Sequence, residues 1–474
     1  MQQKLFLEDI AKREIIYSSL PLQKKKIKEN LKISFHDQNN NSIKILSVAP
    51  ENSSIKSTSV ICTPTMSTPT DEIKTFNYTR NDLKTTIPAW ANGVSLSVFD
   101  YLLHQSWDNK MRQPDNGPFL YPLDSIIKLM SPGKVKYQGV FCPSRSVEKR
   151  PPPEKQIEEK TQTENSGEKK ESKGPEDAGP KVLTPFNPKA FHFGKIPKNE
   201  YLFKIQHIKI GVTSEILLNN APYERCHSLL ITEMDKNKPQ IVTYEGLVAA
   251  LEVALLSTHP GMRILYNGMG ACGSVNQQHF QIYYTSTYQL PIDVVELKPM
   301  LVSKDTFINP LFKTKDTKST TEQQSENSEN KDTKNNHPGL DLPAYVINGV
   351  DSSNLTQFAT QISTFTEFLV NENIPHNLCI CRDHITGQIK IFIWVRKFQT
   401  NRDYKAFNVA STELIGHCYY GDRALFDKHS ESDIRQAMYD MRLDDERQLK
   451  VDKYISTIFD PSSRGLFSAI FGWF

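Results

Sequence analysis

The chain is expected to fold as an α+β protein on an antiparallel sheet, in two related halves interrupted by disordered inserts. Three features of the sequence carry that expectation. A helix-like stretch followed by two strand-like runs occupies residues 243–284, and the same order recurs at 355–396. Between and before these lie two runs, 151–181 and 313–338, made of Lys, Glu, Ser, Thr, Asn and Gln with almost no large apolar side chains. Such runs cannot bury enough surface to offset the entropy of ordering.

Taken in order, residues 1–85 are rich in Ser, Thr, Asn and Lys and hold only short apolar runs at 43–48 and 60–62. They are expected to form a weakly structured extension. An N-terminal part follows over 86–312, carrying the insert 151–181, and a C-terminal half over 339–460 lies beyond the insert 313–338. In the first, 229–232 suggests a strand. Thr243 is a plausible N-cap, and Leu247, Ala250, Leu251, Ala254 and Leu255 keep helical spacing until His259-Pro260-Gly261 ends the run. Residues 263–266 and 277–284 then read as neighbouring strands. In the second, Leu355, Phe358, Ile362, Phe365 and Leu369 share one helical face, ahead of strands at 376–381 and 389–396. The apolar tail 461–474 is expected to pack on the core or to meet a partner.

Composition excludes several classes. With 57 Lys and Arg against 54 Asp and Glu, a net charge of +3 supplies no broad basic field for nucleic acid, so any anion site must be local. Acidic residues at Glu8 and Asp9 argue against a secretory leader, and no apolar stretch is long enough to cross a bilayer. The seven Cys are scattered, and Cys379 and Cys381 are too close together for a zinc knuckle or a redox pair. They read as reduced thiols of a cytoplasmic protein. No metal site is expected, because no His, Cys or carboxylate cluster has ligand spacing, and no cofactor is expected either.

One stretch carries chemistry. On a strand over 277–284, Gln277, His279 and Gln281 would point one way while Phe280 and Ile282 point into the core. Ahead of them Gly268, Gly270 and Gly273 form a loop in which backbone N–H groups can come close to a phosphate. A histidine with a free nitrogen beside such a loop can attack phosphorus and hold a nucleotidyl group covalently. On patterning alone, a satisfied core or surface histidine is the favoured reading.

The wider block, from Asn219, Pro222 and His227 through Tyr266-Asn267-Gly268 and Gly270 to Gln277-Gln278-His279-Phe280-Gln281, resembles the histidine-triad superfamily in its GDP-hexose phosphorylase branch. Segments upstream (Trp90, Trp107, Lys136-Tyr137-Gln138, Arg145) and downstream (His376-Asn377-Leu378, Trp394-Val395-Arg396-Lys397, Glu413 through His417) extend the resemblance over about 86–445. It implies a histidine-triad-like fold and a reaction in which GDP-hexose and inorganic phosphate give GDP and hexose 1-phosphate. The resemblance makes His279 the nucleophile of a guanylyl-histidine intermediate and Gln281 a hydrogen-bond donor to the nucleotidyl phosphate, with Asn219, His227, Asn267, Gly270 and Ser274 near the nucleotide. Arg396 and Lys397 are candidates to reach phosphate oxygens. Three positions depart from the pattern: Gln277 stands where the motif has its first His, Cys226 where it has Gly, and Gly268 where it has the Ser after Asn267. Gln can donate and accept hydrogen bonds but carries no charge. Activity at His279 therefore turns on what position 277 does. An impaired nucleotide-binding relative and a nucleotide hydrolase stay open, and the implied partners are small molecules, with a homodimer also open.

Overall fold

The computed structural model describes residues 73–459, apart from 89–94, 115–116, 134, 149–179, 286–289, 296–299, 304–305, 310–341 and 400–406. Most of the insert 151–181, the whole insert 313–338 and the tail 461–474 therefore lie outside the described residues.

Helices and antiparallel sheet dominate, as α+β. The first half supplies Ser228–Thr232 (β6), the helix Tyr244–Leu256, Met262–Asn267 (β7) and Phe280–Tyr284 (β8). The second supplies Ala344–Val350 (β11), the helix Leu355–Asn371, His376–Arg382 (β12) and Ile389–Val395 (β13). Both halves thus read strand, helix, strand, strand. Their order across the sheet is β6-β8-β7-β12-β13-β11, so the halves meet where β7 pairs antiparallel with β12, Leu265 opposite Cys379. Strands Tyr201–Gln206 and Thr213–Leu218 extend the first half, and among the described residues the sheet reaches eleven strands.

Alternation along these strands sorts side chains to two faces. Phe280, Ile282, Ile264 and Ile380 face the two helices, in a core that also takes Leu251 and Ile362. The helix Tyr244–Leu256 is apolar on every side and buried from Gly246 to Leu256, lying between sheet and neighbouring helix. Thr243 caps it, Oγ1 accepting from Gly246 N at 3.2 Å. On the opposite face Tyr283, Leu265, Cys379, Phe392 and Trp394 form a second core with a three-stranded sheet made of Ile127–Met130, Gln138–Phe141 and His417–Tyr420. This second face also takes the side chain of Gln281, which accepts from Tyr223 OH.

The expected extension through residue 85 is corrected at its end, because residues from 73 onward are built into the fold. Thr75–Phe76 adds a parallel edge strand to Tyr201–Gln206, and Tyr78 and Leu83 are buried. Tyr78 OH donates to Glu252 Oε2 at 2.6 Å, where His207 Nδ1 also lies at 3.0 Å, while Lys209 N donates to Oε1 at 3.1 Å. His207 Nε2 is 2.9 Å from Ser214 Oγ. This Ser-His-Glu chain has the order of a hydrolase triad, yet all three residues are fully buried and Thr232 closes the Ser214 end at 2.9 Å. Its role is to clamp residue 78 to the helix. Glu252→Ala, which strands these donors in the core, is expected to destabilise the fold by roughly 3 kcal/mol in urea titrations.

No helix among the described residues is long and apolar enough to cross a membrane.

Candidate active site

His279 sits just ahead of β8 on the second face, 6% exposed. Its Nδ1 lies 2.8 Å from the backbone carbonyl of Gln277. A carbonyl only accepts, so Nδ1 holds the proton and Nε2 keeps its lone pair. Nε2 has no hydrogen-bond partner among the described residues. Burial drives the His279 pKa down to about 4 against a smaller opposing pull from that carbonyl, so the ring is neutral at physiological pH. The ring packs edge-on against Phe193, centroids 5.0 Å apart.

Gln240 holds the backbone around this ring. Its Oε1 accepts from His279 N at 2.9 Å, and its Nε2 donates to the carbonyls of His279 (3.2 Å) and Asn267 (3.0 Å). One fully buried amide therefore fixes both the end of β7 and the approach to β8.

Two residues along the same face, Gln281 Oε1 accepts from Tyr223 OH at 3.3 Å and lies 3.0 Å from His227 Nε2. Its amide nitrogen has no partner among the described residues and remains available as a donor. His227, fully buried, also lies 3.0 Å from Asn219 Nδ2, and Asn219 Oδ1 accepts from Ala221 N at 3.1 Å. Burial first and the charge of Arg145 second lower the His227 pKa to about 3, so it too is neutral. Beside it His417 is 1% exposed with neither ring nitrogen hydrogen-bonded, in ring contact with Tyr223 and Tyr283. A neutral imidazole with an open Nε2 and an amide donor two residues on can attack phosphorus and hold a phosphoryl oxygen.

Two family models match the chain: the GDPGP1-like N-terminal domain over residues 163–283 and the GDPGP1-like C-terminal domain over 341–462, together just over half its length. The chain belongs to the GDPGP1-like family. GDP-D-glucose phosphorylase 1 of Danio rerio is 25% identical over 392 residues, covering 80% of this chain and 97% of that protein. GDP-D-glucose phosphorylase 1 of Homo sapiens is 26% identical over 354 residues, covering 70% and 76%. The solved structure of yeast Ap4A phosphorylase Apa2 with AMP aligns over 74% of this chain and 99% of its own, at 14% identity and a TM-score of 0.43.

Within this GDPGP1-like framework the residues singled out in the sequence fall into two groups. His279, Gln281, His227 and Asn219 come together. Gln277 does not join them, since the strand begins at Phe280 rather than at 277. The reason is local: Gln278 N donates to Lys238 O (2.9 Å) and His279 N to Gln240, so the ladder starts later. The Gln277 side chain turns away and is buried, Oε1 accepting from Phe193 N at 2.7 Å and Nε2 donating to Met234 O at 3.0 Å and Asn237 Oδ1 at 3.3 Å.

Asn267 is a brace: its Oδ1 accepts from Asn377 Nδ2 (2.7 Å) and Ser411 N (2.8 Å). The glycine loop is tightly folded on itself, Ala271 N and Gly273 N both donating to Gly268 O. Gly270 has φ +75°, and a Cβ there would lie 2.4 Å from Phe398; one on Gly273 would lie 2.8 Å from Asn267 O. Ser274 is exposed on this loop. Arg396, a candidate to reach phosphate oxygens, turns inward. It is fully buried, donating to Gln399 Oε1 at 2.6 Å and to Val409 O, Asn377 Oδ1 and Lys397 O, so its donors serve the fold. Lys397 is exposed. Tyr223 and Gln240 are singled out only by their contacts across the sheet, and the same contacts give a part to Arg145 and His417, which the resemblance covers without a role. Among the described residues no group of three His, Cys, Asp or Glu could hold a metal.

Proposed function

We propose that this GDPGP1-like protein is a GDP-D-glucose phosphorylase working through a guanylyl-histidine at His279. It is a GDP-hexose phosphorylase by its relatives, among which the GDP-D-glucose phosphorylases match over most of the chain. The observation that supports the histidine step is the His279 ring itself: neutral, its proton held on Nδ1 by the Gln277 carbonyl, its Nε2 unpartnered among the described residues.

In this reading Nε2 attacks the α-phosphorus, the bond to the bridging oxygen breaks, and hexose 1-phosphate leaves. The proton stays on Nδ1, donated to the Gln277 carbonyl, whose oxygen lies against the positive charge the ring gains on forming the N–P bond. Gln281 Nε2 donates to a nonbridging oxygen as the phosphorane builds charge. An oxygen of inorganic phosphate then attacks the same phosphorus, the N–P bond breaks, GDP leaves and the imidazole returns to neutral. No proton need leave the ring in either half. Asn219 and His227 set the Gln281 amide from behind, and the loop at Gly270 and Ser274 borders the nucleotide. The free thiols among the described residues fit a cytoplasmic setting.

A pH profile tests the electrostatics. An imidazole at its ordinary pKa of about 6.5 would be some nine-tenths protonated at pH 5.5 and lose about tenfold in rate. With burial holding His279 near 4, kcat/KM for GDP-glucose is expected to stay within about twofold between pH 7.5 and 5.5. That constant reports only the first half-reaction, so titration of the phosphate acceptor does not enter it. A tenfold fall over this range would contradict the neutral-ring account.

A further inference from the structure

Arg145 is a cation that the fold holds in place with no anionic partner among the described residues. It lies on the short helix Pro143–Glu148, its Cζ 5.0 Å from the ring centroid of Tyr223 and 5.2 Å from that of Tyr419. Its one hydrogen bond among the described residues runs from Nη1 to Tyr121 OH at 3.4 Å. No described carboxylate pairs with it, whereas its basic neighbours are matched, Lys128 with Glu224 at 2.6 Å and Arg225 with Asp108 at 2.5 Å. Two aromatic faces fix the guanidinium plane and partly desolvate it, which leaves an unmet demand for negative charge. A planar fork of donors with that demand suits phosphate better than any neutral group.

Tyr223 places this cation relative to the chemistry. Its ring carries Arg145 on one face, and its hydroxyl donates to Gln281, two residues from His279 on the same face of the sheet. The His227 ring lies 4.3 Å from the Tyr223 ring, with Nδ1 buried and without a partner. Arg145, the Tyr223 hydroxyl and His227 thus sit one side chain beyond Gln281.

We infer that Arg145 holds the phosphate adjoining the reacting phosphorus: the β-phosphate of a bound guanosine diphosphate, and so both the departing sugar phosphate and the incoming inorganic phosphate. The inference rests on the proposed histidine chemistry. In both half-reactions the group that leaves or arrives stands in line with the same imidazole nitrogen across the same phosphorus, so the two phosphates share one seat. A cation there stabilises the charge that collects on the leaving oxygen.

The test compares equilibrium binding of GDP and GMP to the full-length protein, wild type against Arg145→Gln and Arg145→Lys. GMP lacks the second phosphate and serves as the control for folding and for the nucleoside site. The Arg145→Gln change is expected to weaken GDP by about tenfold to a hundredfold, the usual worth of a charged hydrogen bond, and GMP by less than twofold. Arg145→Lys should fall between wild type and Gln. Equal weakening of both nucleotides, or no weakening of GDP, overturns the inference. Failure of the catalytic reading would show differently, as a wild-type protein that binds GDP through Arg145 yet forms no guanylyl adduct.

Discussion

Replacing His279 with alanine is expected to lower phosphorolysis of GDP-glucose by about 10⁴-fold or more, while GMP binding changes little. The ring supplies the only protein atom in the proposed scheme that bonds to phosphorus, so no other side chain substitutes for it. The side chain adds one edge-on contact with Phe193, and the backbone N–H that Gln240 holds remains after truncation. The fold should therefore survive, as thermal melting can verify. A variant retaining more than about a hundredth of wild-type turnover would move the nucleophile elsewhere.

The second large effect concerns Gln277. In the reading that makes this chain an impaired relative, Gln277→His restores a lost catalytic group and raises turnover steeply. The contacts point the other way. The side chain is a strut, an acceptor at one end for Phe193 N and a donor at the other for Met234 O, and a neutral imidazole could offer the same pair. What the site needs from residue 277 is its backbone carbonyl, held still beneath Nδ1. Gln277→His is accordingly expected to keep kcat within about tenfold of wild type. Gln277→Ala, which leaves a buried donor and acceptor unmatched, should cost about 1–3 kcal/mol of stability and reduce kcat by about 10²-fold through a loosened His279. Steady-state rates with urea midpoints for the same proteins separate the two effects. A jump in turnover in Gln277→His would contradict the strut.

Much of the frame was legible from periodicity. The helices at 244–256 and 355–371 and the strands that follow each carry strong apolar patterns, and their repetition gave the two related halves. The β7–β12 pairing that joins the halves is seen only in the folded sheet. Misplaced features share a physical cause: long-range contacts decided them. The strand at 277 was cut short because a glutamine 39 positions earlier takes the His279 amide. Arg396, a candidate to reach phosphate oxygens, is buried and donates to Val409 O and Gln399 Oε1 instead. Residues 73–85 look weakly apolar in isolation, yet Tyr78 is anchored by a carboxylate 174 positions away. Gln240 leaves no local signature, being one glutamine in a loop, and Arg145 stands only among the residues of the resemblance, with no part assigned to it. Their roles exist only once the chain has folded.

The most direct test of the central claim is to mix the protein with GDP-glucose labelled in the guanylyl phosphate, omit inorganic phosphate, and map the label by mass spectrometry of peptides. The account predicts one guanylyl group per chain, on His279, discharged as GDP when phosphate is added. Label found on another residue, or phosphate-dependent GDP release with no adduct at any time, would contradict it.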